Sequence, residues 1–192
     1  MMGAMKSKAH KETEVRFLEI NKDSLVKNLK ALGAADKGES MLEEVIIYDK
    51  DLKWLDERRF IRLRKSGDST TLTFKHHTAM DKGEAVEIEL EISDLEAAVS
   101  LFEAVGFVAY RRQQKKRHTL ELDGVTFDID TWPRIPTYIE LEGESLEALK
   151  KAAKTIGLDW SRAVFKDARS VIEEVYHIPV SKMRWFTFDR FE

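Results

Sequence analysis

Six stretches of this chain place charged side chains two residues apart: Glu12, Glu14 and Arg16; Arg62 and Arg64; Glu87 and Glu89; Lys115 and Arg117; Asp128 and Asp130; Glu140 and Glu142. Lys75 stands in the same way with Thr71 and Thr73. A spacing of two puts side chains on one face of an extended strand. Paired carboxylates are oxygen donors for hard cations, and a guanidinium fork can bond two oxygens of an oxyanion at once. Acids and bases fall largely on different stretches, so they become a site only where a fold brings those stretches together.

The positions between the charges are apolar. Val15 and Phe17 oppose the first triad, and Ile61 and Leu63 oppose the arginine pair. Leu72 and Phe74 oppose Lys75, while Val86, Ile88 and Leu90 oppose Glu87 and Glu89. His118 and Leu120 oppose Lys115 and Arg117, Phe127 and Ile129 oppose the aspartates, and Ile139 and Leu141 oppose the last glutamates. Strict alternation predicts half-buried strands over 12–18, 59–65, 71–77, 85–92, 112–122, 125–130 and 137–142, with a further strand over 44–49. Three helices are expected between them. Leu25, Leu29 and Leu32 follow cap candidates Asp23 and Ser24 and stop at Gly33. Leu95, Val99, Phe102 and Val105 follow Ser93 and Asp94 and stop at Gly106. Leu146, Leu149, Ala153 and Ile156 follow Glu144 and Ser145 and stop at Gly157. The chain therefore reads as β-α-β-β-β twice, then a helical segment over 160–177 that Pro179 ends.

The class that follows is α+β: an antiparallel sheet whose apolar face is covered by helices. Its other face is almost wholly charged, with eight acids (12, 14, 87, 89, 128, 130, 140, 142) against six bases (16, 62, 64, 75, 115, 117). An open sheet with a solvated polar face is one outcome. A sheet that curls shut, turning that face into a charged lumen, is the other. Segregation of paired carboxylates from paired guanidiniums favours the second.

Composition narrows the function classes. The 192 residues include no cysteine, which removes disulfides, thiolate zinc sites and cysteine nucleophiles and suits a reducing cytoplasm. With 35 acidic and 32 basic residues the net charge is −3, against a general nucleic-acid coat or a binder of anionic membranes. No window reaches the ~18 apolar residues of a membrane span. A cytoplasmic protein is expected, with no nucleic-acid or membrane partner, and a homodimer is compatible with the sequence. The expected organisation is a disordered extension over 1–10, a domain over 11–178 and an aromatic tail over 179–192. In that tail Trp185, Phe186, Phe188 and Phe191 suit docking on the body or on a partner.

The ordered motifs resemble a known family. Glu12-Thr13-Glu14-Val15-Arg16 is similar to the ExExK signature of the CYTH, or triphosphate tunnel metalloenzyme, superfamily. Arg62-Leu63-Arg64 and Leu72-Thr73-Phe74-Lys75 resemble its RxR and LTxK strands. Glu87-Ile88-Glu89, Lys115-Lys116-Arg117, Asp128-Ile129-Asp130 and Tyr138-Ile139-Glu140-Leu141-Glu142 follow in the family's order. The resemblance spans about residues 10–178. It implies a closed eight-stranded antiparallel β-barrel built from a duplicated βαβββ unit, with helices packed outside. It also implies a metal-dependent hydrolase of triphosphates (inorganic tripolyphosphate, thiamine triphosphate or a nucleoside triphosphate) or a class IV adenylate cyclase making cyclic AMP and pyrophosphate. Its implied cofactor is Mg²⁺ or Mn²⁺, held by Glu12, Glu14, Glu87, Glu89, Asp128, Glu140 and Glu142. Its implied small-molecule partner is a triphosphate, cradled by Arg62, Arg64, Lys75, Lys115 and Arg117. Glu12, Glu14 and position 16 fall at the catalytic signature. One departure is Arg16, where the family usually has lysine: a guanidinium cannot shed its proton, so this position cannot act as a base. A catalytically silent polyphosphate or nucleotide binder, and a scaffold with a merely solvated charged face, also fit the sequence.

Other signals carry less. His76 and His77 are adjacent and face opposite ways on a strand, a poor chelate. His118 lies on the apolar face and is expected to be packed or hydrogen-bonded. Trp132 is expected beneath the Pro133–Pro136 turn. There is no GxxxxGK[ST], GxGxxG or HExxH.

Overall fold

A computed structural model describes residues 10–79 and 84–192. The expected extension over 1–10 therefore lies, His10 apart, outside the described residues. Strand β1 (His10–Phe17), helix α1 (Lys22–Ala31), β2 (Ala35–Tyr48), α2 (Lys53–Asp56), β3 (Arg59–Ser66) and β4 (Ser69–Ala79) form the first half. Strand β5 (Glu84–Glu91), α3 (Leu95–Ala104), β6 (Val108–Leu122), β7 (Val125–Thr131) and β8 (Tyr138–Gly143) repeat that order without a counterpart of the short α2. Helices α4 (Leu146–Thr155) and α5 (Ala168–Ser170), a π turn over Val171–Val175 and the two-residue strand β9 (Trp185–Phe186) complete the chain. The segment expected to be helical over 160–177 is thus mostly a string of single turns.

The antiparallel sheet curls on itself in the order β2-β3-β4-β5-β1-β8-β7-β6, and β2 also pairs with β6. That last ladder runs from Ala35 opposite Glu121 to Tyr48 opposite Val108, so β2 and β6 are both longer than their alternation implied. Within β2, Val45, Ile46, Ile47 and Tyr48 are all buried, because both faces of this end of the strand are covered, while most of the added residues 35–43 are exposed.

Helices cover the outer face in two places. Leu25 and Leu29 of α1 and Leu149 and Ala153 of α4 join Val15, Phe17, Leu120, Phe127, Ile129, Ile139 and Leu141 in one core. Val99 of α3 joins Val45, Ile47, Ile61 and Leu63 in another. Cap bonds begin the helices: Asn21 accepts from Ser24 N, Asp94 from Ala97 N and Ser145 from Ala148 N. The α1 cap is thus Asn21, not Asp23 or Ser24. Gly33, Gly106 and Gly157 end the three helices with φ of +88°, +92° and +79°, values that L side chains rarely adopt. Among the described residues no helix is long and apolar enough to cross a membrane.

One expectation fails on the outer face. Val86, Ile88 and Leu90 are 41, 41 and 36 % exposed rather than buried. Helices α1 and α4 pack over β1, β8, β7 and β6 and α3 over β3 and β6, which leaves these side chains of β5 open to solvent.

The aromatic tail docks on the body. Phe186 is fully buried and stacks on Trp132 with centroids 5.6 Å apart, and β9 pairs in parallel with β6 at Arg112 and Gln113. Trp132 is held more firmly than a place under a turn requires, with its Nε1 donating to the Tyr138 hydroxyl at 2.8 Å.

Candidate active site

The inner face of the curled sheet surrounds a cavity of about 470 Å³. Alternation along the strands delivers the side chains: Glu14 and Arg16 come from β1, Arg62 and Arg64 from β3, Lys75 from β4, Glu87 and Glu89 from β5, Lys115 and Arg117 from β6, Glu140 and Glu142 from β8. The structure thus brings together every expected site residue whose side chain is described, except that Asp128 stands behind the wall as a partner of Arg117. Glu12 pairs through its backbone with Ala85, and its side chain lies outside the described residues.

The walls are a lattice of ion pairs. Arg16 Nη2 contacts Glu14 at 3.1 Å and also Glu140, while its Nη1 donates to the Lys166 carbonyl at 2.8 Å. Lys75 pairs with Glu87 at 2.5 Å and reaches Glu14 at 3.8 Å. Lys115 meets Asp130 at 2.7 Å, and Arg117 binds Asp130 and Asp128. Burial raises the Glu14 carboxyl, but Arg16 and Lys75 outweigh it and hold the group at about 2. Burial, reinforced by Arg117, overcomes the pull of Asp130 and lowers Lys115 to about 8. Burial and the nearby Lys75 lower His77 to about 4, so its imidazole is neutral at pH 7. That residue lines the cavity, with its ring 6.3 Å from Phe60.

Several wall residues were missed by sequence reasoning. Glu44 is 3 % exposed, accepts from Arg64 Nε at 2.7 Å and is held far below the usual carboxylate range, burial being outweighed by Arg64 and Lys115. Arg58, Arg59, Arg111, Gln113, Asp167 and Arg169 also line the cavity. Glu44 was hidden because the run Val45–Tyr48 shows no alternation, and Asp167 and Arg169 because they lie on turns where spacing carries no face. With these included, ten cationic side chains (16, 58, 59, 62, 64, 75, 111, 115, 117, 169) face seven carboxylates (14, 44, 87, 89, 140, 142, 167) on the wall. Asp128 and Asp130 stand behind Lys115 and Arg117, so among the described residues nine carboxylates around the cavity meet ten cations.

Arg62 stands out within the lattice. Its Nη2 has a 3.4 Å contact with Thr73 Oγ1, its buried Nε has no hydrogen-bond partner, and no carboxylate lies within ion-pair distance among the described residues. Burial and the adjacent Arg64 lower its pKa against the pull of Glu44 and Glu87, which are themselves paired with Arg64 and Lys75.

Whether these residues suit a divalent cation depends on the acids of β1 and β8. Glu14 lies opposite Glu142 and Arg16 opposite Glu140 in the β1–β8 ladder. Among the described residues no three His, Asp or Glu side chains stand together as a metal-holding group. Mg²⁺ typically takes one or two protein carboxylates, substrate phosphates and waters, so the donor set fits such an ion in kind.

A curled antiparallel sheet with outer helices and a lumen of paired opposite charges defines the class of protein. The family model for the CYTH domain matches residues 10–176, and the chain belongs to that family. Among solved structures it is similar to the PH1012 protein of Pyrococcus horikoshii, at 24 % identity and a TM-score of 0.69, covering 81 % of this chain and 96 % of that one. A proposed adenylate cyclase from Vibrio parahaemolyticus shares the fold at 14 % identity and a TM-score of 0.73, covering 86 and 99 % of the two chains. An adenylyl cyclase candidate from Hippeastrum, described as having a dominant triphosphatase activity, matches at 16 % identity and a TM-score of 0.62, covering 86 and 95 %. No curated protein matches the chain by sequence.

Proposed function

We propose that the cavity receives a linear triphosphate and that the protein is a metal-dependent triphosphatase. The observation that carries this reading is Arg62, a cation in an enclosed site with no carboxylate of its own among the described residues. Such a group is costly without a counter-ion, and a bound oxyanion supplies one. The ring of strand pairings supports reading the sheet as a closed eight-stranded barrel around it.

In this account Arg62, Arg64, Lys75, Lys115 and Arg117 bind and orient the phosphates. Their partners Glu44, Glu87, Asp128 and Asp130 hold the cations in place before the anion arrives, which is the condition for electrostatic stabilisation without reorganisation. Glu14, Glu140 and Glu142 are the described residues that would hold a hard divalent cation, with Glu12 beside them in the signature. Such an ion polarises a phosphoryl oxygen or activates water. Arg16 remains protonated and orients Glu14 and Glu140. Membership of the CYTH family and the activity described for the Hippeastrum protein point the same way.

The test is turnover. The protein is incubated with tripolyphosphate, thiamine triphosphate and ATP under Mg²⁺ or Mn²⁺, and orthophosphate and cyclic AMP are assayed. Orthophosphate release is expected. Cyclic AMP from ATP would make the protein a cyclase, and thermal stabilisation by triphosphate without turnover would make it a binder.

A further inference from the structure

Ile46 of β2 is flanked by Arg62 of β3 on one side and Arg111 of β6 on the other. The next row along is Arg64, Glu44 and Gln113. There Glu44 accepts from Arg64 Nε at 2.7 Å and from Gln113 Nε2 at 2.5 Å. The Ile46 row has two arginines and an isoleucine where its neighbour has the acid.

Arg111 is only 5 % exposed, yet its bonds go to neutral acceptors. Its Nε donates to Gln113 Oε1 at 2.8 Å and its Nη1 to the Val180 carbonyl at 2.9 Å. Among the described residues no carboxylate lies within ion-pair distance of it. Burial lowers the pKa of both arginines, but arginine stays charged in proteins. Arg64 and Arg117 repel Arg62, Arg169 repels Arg111, and neither arginine has its counter-ion within the row. Neighbouring strands are ~4.8 Å apart, so the two backbones stand roughly 10 Å from each other across Ile46. Both side chains line the same cavity.

We propose that this row is a subsite for one phosphate group, gripped from opposite sides by Arg62 and Arg111. The proposal rests on the reading of the cavity as a triphosphate site and adds Arg111 as a direct ligand of the anion. It also gives a direction: one end of the bound triphosphate lies toward Val180, whose carbonyl Arg111 holds and which lines the same cavity.

The test uses the full chain and tripolyphosphate, with affinity from calorimetry and melting temperature measured without ligand. Arg111→Gln keeps an amide donor for the Val180 carbonyl but removes the charge, and Arg111→Lys keeps the charge without the fork. Loss of a buried charge-assisted contact implies a roughly 10- to 100-fold weaker affinity for Arg111→Gln and a smaller loss for Arg111→Lys. Arg62→Gln should lose a similar factor, and the double variant less than the product of the two, because both residues hold the same group. Unchanged tripolyphosphate affinity in Arg111→Gln, with wild type binding well, overturns this proposal alone and leaves Arg111 as an anchor for Val180. Fully multiplicative losses would place the two arginines on different groups and also overturn it. No binding by wild type overturns the triphosphate reading and this proposal with it.

Discussion

Arg117 grips Asp130 with two prongs, Nε to Oδ1 and Nη2 to Oδ2, both at 2.7 Å. Asp130 is fully buried and also accepts from Lys115 Nζ at 2.7 Å, so one carboxylate fixes two cations of the cavity wall. Removing one partner from a buried ion pair is far more destabilising than the pair's net worth, because the other charge is left stranded. Asp130→Asn should therefore lower the unfolding free energy by about 3–5 kcal/mol in urea titrations. A loss below about 1 kcal/mol would show that water or a shifted side chain compensates the two cations.

Lys115 gives the cavity a pH dependence. Burial first, and Arg117 second, bring its pKa down from 10.5 to about 8 in the folded chain. Between pH 8 and 10.5 the unfolded state then binds more protons, so this group's contribution to stability rises with pH across that window. Binding runs the other way, since a bound oxyanion favours the charged ammonium. Tripolyphosphate affinity should fall roughly fivefold between pH 8 and 9 from this group, approaching tenfold per unit above that. Calorimetry on wild type and Lys115→Arg separates it from titration of the ligand: the arginine variant should lack this fall, and parallel profiles would remove Lys115 from the binding site.

Arg16 makes three contacts, with Glu14, Glu140 and the Lys166 carbonyl. A lysine ammonium is a compact point charge and does not reproduce a planar fork that spans two carboxylates and a carbonyl. Arg16→Lys should change the rate of triphosphate turnover more than it changes triphosphate affinity, because Arg16 orients the acids rather than the phosphates. Steady-state kinetics with a parallel binding titration checks this, and equal losses in both would contradict it.

Phe186 is the centre of the tail's attachment, stacked on Trp132 and 5.4 Å from the Phe191 ring. Phe186→Ala leaves a hole in a closed aromatic cluster and should cost about 3–5 kcal/mol. Thermal and urea melts followed by tryptophan fluorescence report it. A melting temperature equal to that of wild type would mean that the tail contributes nothing to the body.

What was legible in the sequence was the alternation. Where one face of a strand is apolar and the other charged, as in β1, β3 and β8, residue spacing assigned Arg16, Arg62, Arg64 and Glu140 to a common surface, and the structure places them on one cavity. Where both faces are covered, as at Val45–Tyr48, the period vanishes and Glu44 was lost with it. Where the chain turns, as at Asp167 and Arg169, no period exists to read. The exposed Val86, Ile88 and Leu90 mark the opposite limit: alternation identifies an apolar face but not whether another element packs on it.

The central claim is that a bound triphosphate serves as the missing counter-ion of Arg62. Calorimetric titration of tripolyphosphate into wild type and Arg62→Ala, with and without Mg²⁺, measures this most directly. Saturable binding by wild type that weakens roughly 10- to 100-fold in the variant is the expected result. Equal affinity in the two proteins, or no binding by wild type under either condition, would contradict the account.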